Sequence, residues 1–258
     1  MENLLFEKKN HIGLVTINRP EALNCFNYAT LKELGELVEQ IRVDKDVRIV
    51  IFTGAGDKAF SAGADLKERK TLTESEVRRN VHKIRTVFQA VADLPQPTIA
   101  AVNGYAFGGG FELMLACDFR IAVSQAKMGL TETSWAIIPG AGGTQRLPRL
   151  IGEAKAKELI LTAKKIGAEE AKGYGILTSV VEAEQLMDAC YELANSILQN
   201  GPIAVQQAKF AISQGMNTDL HTGLEIEAKG YEITIPTKDR VEALNAFAEK
   251  RPPQFKGE

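Results

Sequence analysis

The sequence predicts an α/β core followed by a helical C-terminal region. Apolar, β-branched runs alternate with helical patterns over most of the 258 residues, and only helical patterns follow. Two of these runs, residues 47–52 and 98–102, lack the polar alternation of a half-exposed strand, which is typical of strands buried on both faces of a parallel sheet. We therefore expect a core over residues 1–200 that holds the functional site, and a helical unit over residues 201–258.

The first elements follow from apolar spacing. Two short strands are expected at residues 4–7 and 12–17, and Pro20 excludes a longer second strand because proline cannot donate to the ladder. Residues 28–42 have apolar side chains at helical spacing and predict the first long helix. A buried strand at 47–52 then ends in a glycine-containing turn.

A second long helix should begin after Thr73, because Thr73 and Glu76 have the spacing of a capping box. Glycines 108–110 follow the strand at 98–102 and lead into a short apolar helix at 111–116, and residues 118–123 predict another strand. The inward face of the second long helix is expected to carry Val77, Val81, Ile84, Phe88 and Val91.

The C-terminal third predicts helices at residues 181–198, 203–214 and 220–234. Thr237 is expected to cap a last helix. The apolar stripe of that helix would consist of Val241, Leu244 and Phe247.

Composition excludes several classes of protein. The formal net charge of -2 provides no overall positive field for nucleic acid. No segment approaches the roughly 20 apolar residues that span a bilayer, and no signal peptide is recognisable. The cysteines, Cys25, Cys117 and Cys190, are scattered and form no disulfide pattern. These features favour a reducing, cytoplasmic setting.

Common catalytic motifs are also missing. His11, His82 and His221 lack the spacing of metal ligands. The chain has no GxSxG, P-loop or GxGxxG motif, which argues against a hydrolase triad, a nucleotide triphosphate site and a standard dinucleotide site. Carboxylates and backbone dipoles are the remaining chemical tools.

Two glycine-rich loops and two glutamates are the candidates for such chemistry. Residues 62–64 and 108–110 each follow a predicted strand, and the amides that open the helix after Gly110 could stabilise a developing negative charge. Glu112 lies in the first turn of that helix, and Glu132 precedes an apolar segment. Burial could make them a general acid and base. From spacing alone, tight packing of the glycines and surface or capping roles for the glutamates stay open.

Several long motifs in the same order resemble the crotonase family. They are residues 18–20 with 22–24, 60–66, 100–112 with 117–118, and 138–147 after Glu132, and the likeness extends to residues 249–251. The resemblance implies the fold of that family, a spiral of ββα units with a C-terminal helical trimerisation region. It also implies a homo-hexamer, built as a dimer of trimers.

The resemblance further implies roles for individual residues. The amides of Ala64 and Gly109 would form the oxyanion hole for an acyl-CoA thioester. Glu112 would act as base on a water, and Glu132 would give the proton to Cα. The resemblance implies no metal or redox cofactor. Coenzyme A is part of the substrate. Its binding residues would be Leu23, Ala62, Asp65 and Leu66, with Lys58, Lys67 and Lys250 near the phosphates, although solvated surface lysines remain the alternative.

Because both glutamates are present, the expected reaction is the hydration of a short-chain 2-enoyl-CoA in fatty acid β-oxidation. Residues 235–240 are also similar to those of methylglutaconyl-CoA hydratases, whose substrate carries a second acidic group and would require a nearby cation that the sequence does not identify. Such hydratases can bind RNA through a row of lysines, but the matching positions here are Tyr28, Lys32 and Glu36, so RNA binding is not expected. A non-catalytic CoA-binding subunit is the third alternative.

Overall fold

The computed structural model describes residues 1–258 and contains two β-sheets. The strands are β1 (Leu4–Lys9), β2 (Ile12–Ile17), β3 (Ile49–Gly54), β4 (Ala59–Ser61), β5 (Thr98–Val102), β6 (Tyr105–Phe107), β7 (Phe119–Val123), β8 (Lys127–Gly129), β9 (Ile166–Gly167) and β10 (Ser179–Val181). The larger sheet has the order β1-β2-β3-β5-β7-β10, and the smaller sheet has the order β4-β6-β8-β9.

The helices account for most of the remaining chain. They are α1 (Tyr28–Val43), α2 (Leu66–Arg69), α3 (Glu74–Ala92), α4 (Gly109–Ala116), α5 (Gly143–Ile151), α6 (Glu153–Leu161), α7 (Ala168–Gly173), α8 (Leu186–Leu198), α9 (Pro202–Gly215), α10 (Leu220–Thr234) and α11 (Lys238–Glu249). None of them combines the length and apolar character that crossing a membrane requires.

From β3 to β8, successive strands alternate between the two sheets, and this alternation builds a spiral. β3, β5 and β7 pair in parallel in the larger sheet, while β4, β6 and β8 pair in parallel in the smaller one. Each turn contributes one strand to each sheet and is followed by helical structure, which is the ββα unit that the resemblance implies. No repeat is visible in the sequence because the turns share geometry rather than residues.

The apolar runs occupy the centre of the larger sheet, as expected. Every residue of β3 and β5 is buried. Parallel strands covered on both faces need such uninterrupted apolar sequence, because no position faces water.

Local signals predicted the caps of two helices. The side chain of Thr73 accepts a hydrogen bond from the amide of Glu76, and the carboxylate of Glu76 accepts one from the amide of Thr73, so the capping box of α3 is confirmed. Thr237 likewise caps α11 by accepting from the amide of Arg240.

The helix expected at residues 181–198 requires a correction. Residues 179–181 form β10, which pairs in parallel with β7, and α8 begins only at Leu186. Val180 and Val181 are apolar residues that fit either a helix or a strand. They form a strand because they can pair with the open edge of β7.

Internal packing divides the chain into two units, Met1–Leu94 with Thr98–Cys190, and Pro95–Pro97 with Tyr191–Glu258. The sequence favours a boundary between the two units near residue 200, and the packing places this boundary within α8. In the second unit α9 and α10 pack closely where Gly215 meets Gly223, and the buried carboxylate of Asp239 accepts hydrogen bonds from the amides of Lys256 and Gly257.

The apolar stripe predicted on α11 is exposed. Val241, Leu244 and Phe247 lie at the surface of this chain, and Phe247 is 86% exposed. The helical spacing of the stripe is correct, but nothing within this chain covers it.

Candidate active site

A cleft of about 610 Å³ opens in the first unit, where the loop after β4 meets the start of α4. Its residues come from three segments of the spiral: the β4–α2 region, α3, and the α4-to-α5 region. The lining consists of Ala62, Gly63, Ala64, Leu66, Arg69, Val77, Val81, Ile84, Gly108, Gly109, Glu112, Thr131, Glu132, Trp135, Ile137, Ile138, Gly140 and Ala141.

The loop at residues 62–65 is held by backbone pairing with residues 23–26. The amide of Ala62 donates to the carbonyl of Leu23 at 3.0 Å, and the amide of Phe26 donates to the carbonyl of Gly63 at 2.8 Å. Asp65 closes this arrangement, because its carboxylate pairs with Arg19 at 2.9 Å. These bonds fix the backbone of the loop without using the amide of Ala64.

The two glycine-rich loops touch each other at the cleft. A methyl group added to Gly63 would lie 2.8 Å from the carbonyl oxygen of Phe107 and 3.1 Å from the amide nitrogen of Gly109. Gly63 and Gly108 also have positive φ angles of 97° and 50°. Glycine is therefore required for two backbones to approach this closely.

Ala64 and Gly109 both line the cleft, and their amides donate no hydrogen bond within the protein. The Gly109 amide is one of the first N–H groups of α4, which lack partners inside the helix. Free backbone donors of this kind can stabilise an oxygen atom that carries negative charge.

Gly110 shows that the packing interpretation also holds for part of this loop. A methyl group there would collide with the carbonyl oxygen of Ser61. Gly110 therefore permits close packing of α4 on β4, while Gly108 and Gly109 border the cleft.

Glu112 is only 3% exposed and has one oxygen fixed by the backbone. Its Oε1 accepts hydrogen bonds from the amides of Ala141 at 2.7 Å and Gly143 at 2.9 Å. Burial raises the pKa of Glu112, while the two amides and the charge of Arg146 oppose that increase. The amides favour the ionised form and so limit the rise in pKa that burial causes.

Glu132 has the opposite environment. It opens a short 3-10 helix at Glu132–Trp135, and its Oε2 is buried without a hydrogen-bond partner. Burial, with the charge of Glu112 as the second cause, raises the pKa of Glu132 to about 7. A methyl group on Gly108 would lie 3.2 Å from Oε1 of Glu132, so this side chain also borders the second glycine-rich loop.

The structure thus brings together most of the residues that the sequence singled out. Ala62, Ala64, Leu66, Gly109 and the two glutamates line one cleft. Leu23 and Asp65 lie next to it through the loop pairing described above. Lys58 and Lys67 are exposed and outside the lining, and Lys250 belongs to the second unit, so their proposed contacts with phosphates stay predictions.

Two features of the cleft escaped sequence reasoning. Val77, Val81 and Ile84 were expected to face the core, but they form a wall of the cleft. Arg69 also lines it and is its only cation. A helical stripe cannot distinguish a core from a cleft wall, and a lone arginine in a charged segment has no distinguishing pattern.

No group of three or more histidine, cysteine, aspartate or glutamate side chains is arranged to hold a metal ion. The ionisable side chains lining the cleft are Glu112, Glu132 and Arg69. The cleft therefore combines two carboxyl groups, one cation and two free backbone donors.

The two-sheet spiral with its helical C-terminal region has the crotonase fold. The enoyl-CoA hydratase/isomerase family model matches residues 7–258, and the chain belongs to that family.

Relatives cover nearly the whole chain. A solved enoyl-CoA hydratase from Bacillus anthracis is 54% identical with a TM-score of 0.97, covering 99% of this chain and 100% of that one. Human mitochondrial methylglutaconyl-CoA hydratase is 51% identical and covers 98% of this chain and 76% of its own length. A short-chain-enoyl-CoA hydratase from Clostridium acetobutylicum is 45% identical, covering 97% of this chain and 96% of its own length.

Proposed function

We propose that this protein adds water across the 2,3-double bond of a short-chain 2-enoyl-CoA to give a 3-hydroxyacyl-CoA, in fatty acid β-oxidation. The observation that carries the proposal is the contrast between two glutamates of one cleft. Glu112 is held by two amides, while Glu132 has an unpartnered oxygen and a pKa of about 7. An acid and a base of this kind are what hydration requires.

The proton balance follows from that contrast. Glu112 is the ionised member of the pair. It accepts a proton from the attacking water while the oxygen of that water bonds to Cβ of the substrate. Glu132 is the protonated member near neutral pH and gives its proton to Cα. The pair therefore holds one proton before and after the reaction, and no redox or metal cofactor takes part.

The free amides of Ala64 and Gly109 would hold the thioester oxygen. That oxygen gains negative charge as the substrate becomes enolate-like. Donors already in place stabilise it without reorganisation, and loss of one such donor costs about 10²–10³ in rate in comparable sites.

A methylglutaconyl-CoA hydratase is the second candidate. The relative of that name and the cation Arg69 in the cleft support it. A homo-hexamer and a cytoplasmic location complete the proposal. The exposed apolar side chains of the C-terminal helices support the assembly.

The test is a hydration assay with crotonyl-CoA on wild type, Glu112→Gln and Glu132→Gln. The loss of the enone absorbance of crotonyl-CoA measures the rate. We expect each substitution to lower kcat by about 10²–10⁴-fold, because each removes one partner of the proton transfer. Glu169→Gln is the matched control, since Glu169 is exposed and outside the cleft. Near-normal turnover in Glu132→Gln would contradict the assignment of the acid.

A further inference from the structure

The backbone segment that holds Glu112 is rich in glycine. Oε1 of Glu112 accepts hydrogen bonds from the amides of Ala141 and Gly143, which flank Gly142. Gly142 has a φ angle of 111°, in the left-handed region that favours glycine. A backbone with this freedom directs two donors at one oxygen only if other contacts fix its conformation.

Arg146, in the first turn of α5, supplies such contacts. Its Nη1 donates to the carbonyl of Ala141 at 3.0 Å, and its own amide donates to the carbonyl of Gly142 at 2.8 Å. The guanidinium also covers Gly142, because a methyl group added there would collide with Nη1. Arg146 therefore fixes the peptide unit between the two donors to Glu112, and also the unit that contains the amide of Gly143.

The other end of the guanidinium is anchored to α3. Nη2 of Arg146 donates to Oε1 of Gln89 at 2.7 Å, and Nε2 of Gln89 donates to Oδ1 of Asp93 at 2.9 Å. Arg146 is not part of the cleft lining. It therefore acts on the cleft through the backbone that holds Glu112.

The charges around Glu112 agree with this arrangement. Burial raises the pKa of Glu112, and the two amides and the charge of Arg146 oppose that rise. Glu132 is the other carboxyl group whose pKa responds to the charge of Glu112. Burial lowers the pKa of Arg146, and the charge of Glu112 is the first of those that oppose this decrease, ahead of the charges of Asp93 and Cys117.

We propose that Arg146 is a positioning residue, which braces residues 141–143 so that their amides hold the carboxylate of Glu112 in the orientation that accepts a proton from the attacking water. This inference rests on the proposed function, because it concerns the base of that reaction. Loss of Arg146 should therefore impair proton transfer more than substrate binding.

The experiment measures kcat and KM for crotonyl-CoA as functions of pH, in wild type and Arg146→Met. We expect kcat at pH 7 to fall by about 10- to 100-fold, the range for a misplaced catalytic group, while KM changes little. The acidic limb of the kcat profile should move to higher pH, because the ionised form of Glu112 loses a positive charge and well-placed donors.

Three further variants separate a positioning role from a general loss of structure. Arg146→Lys should recover part of kcat, because the charge remains while the planar fork is lost. Gln89→Leu removes the acceptor of Nη2 but leaves the charge, and should lower kcat less than Arg146→Met does. Arg149→Met is the matched control, since Arg149 is an exposed arginine of α5 whose side chain bonds to Gln145. It should leave kcat and the acidic limb unchanged.

A double-mutant cycle with Glu112→Gln, measured by urea unfolding, tests the same contact without turnover. At pH 8, Arg146→Met should destabilise wild type more than it destabilises Glu112→Gln, because the charge and the ordered amides act on a carboxylate. This difference should shrink at pH 4, since the raised pKa of Glu112 leaves its carboxyl protonated there.

A loss of kcat with an unmoved acidic limb would overturn the inference, as would equal destabilisation of both backgrounds at pH 8. If wild type does not hydrate crotonyl-CoA while the cycle shows the pH-dependent difference, the brace on Glu112 stands and the proposed reaction fails.

Discussion

At the scale of single residues, Glu112 and Glu132 differ through their immediate partners rather than through their identity. Glu112 is the more deeply buried, yet two amides compensate its charge. Oε2 of Glu132 has no such donors, and the charge of Glu112 helps to raise the pKa of Glu132. Burial and the charge of Glu112 therefore both favour the protonated form of Glu132.

Because of Glu132, the fold should be less stable at and above neutral pH than at pH 4. Its pKa is raised from 4.5 to about 7 in the folded state, so the unfolded chain releases this proton at lower pH. The free energy of unfolding therefore falls as the pH rises from about 4.5 to 7. At pH 8, Glu132→Gln should raise the free energy of unfolding by about 1–2 kcal/mol after allowance for solvent screening.

Urea titrations at pH 4 and pH 8 check this prediction. The stabilisation by Glu132→Gln should be present at pH 8 and absent at pH 4, where the carboxyl is protonated in both states. Glu169→Gln is the control, since Glu169 is exposed and outside the cleft. A Glu132→Gln variant less stable than wild type at pH 8 would argue against the raised pKa.

At the scale of elements, α3 connects a local signal to the cleft. Its capping box fixes where the helix begins, and the following turns present Val77, Val81 and Ile84 to the cleft while Phe88 and Val91 are buried. One helix thus forms both core and cleft wall.

Thr73→Ala should therefore lower the free energy of unfolding by about 1 kcal/mol, because it removes the side-chain acceptor for the amide of Glu76. Urea unfolding measures the change. Thr86→Ala is the control, since Thr86 is exposed on the same helix and caps nothing. It should be neutral or slightly stabilising, and equal losses in both variants would contradict the capping role.

At the scale of the whole molecule, the C-terminal helices leave large apolar side chains uncovered. Such a concentration is typical of an interface between protein chains. The exposed positions include Ile212, Met216, Leu220, Tyr231, Leu244 and Phe247.

The proposed assembly predicts that Phe247→Asp lowers the molecular mass in solution, because a charge would be buried at the interface. Sedimentation velocity at micromolar protein measures this. Val43→Asp is the control, as Val43 is exposed at the end of α1 in the first unit. A wild type that sediments as a monomer would contradict the assembly.

The sequence by itself determined features whose causes lie within a few residues. The capping box at Thr73, the strand at residues 98–102 and the helix at residues 220–234 agree with the structure. Helical spacing, capping and uninterrupted apolar runs are local interactions, so they can be recognised without knowing where the chain goes next. The spiral could be predicted only from the motifs that the sequence shares with a known family.

The tertiary structure alone decided which side chains meet. Glu112 and Glu132 are separated in sequence by β7 and β8, and they share a cleft because those strands alternate between the two sheets. The same path pairs β10 with β7, brings Arg69 to the cleft wall and leaves the stripe of α11 at the surface. Contacts of this kind depend on how distant segments pack, and no spacing along the chain encodes that packing directly.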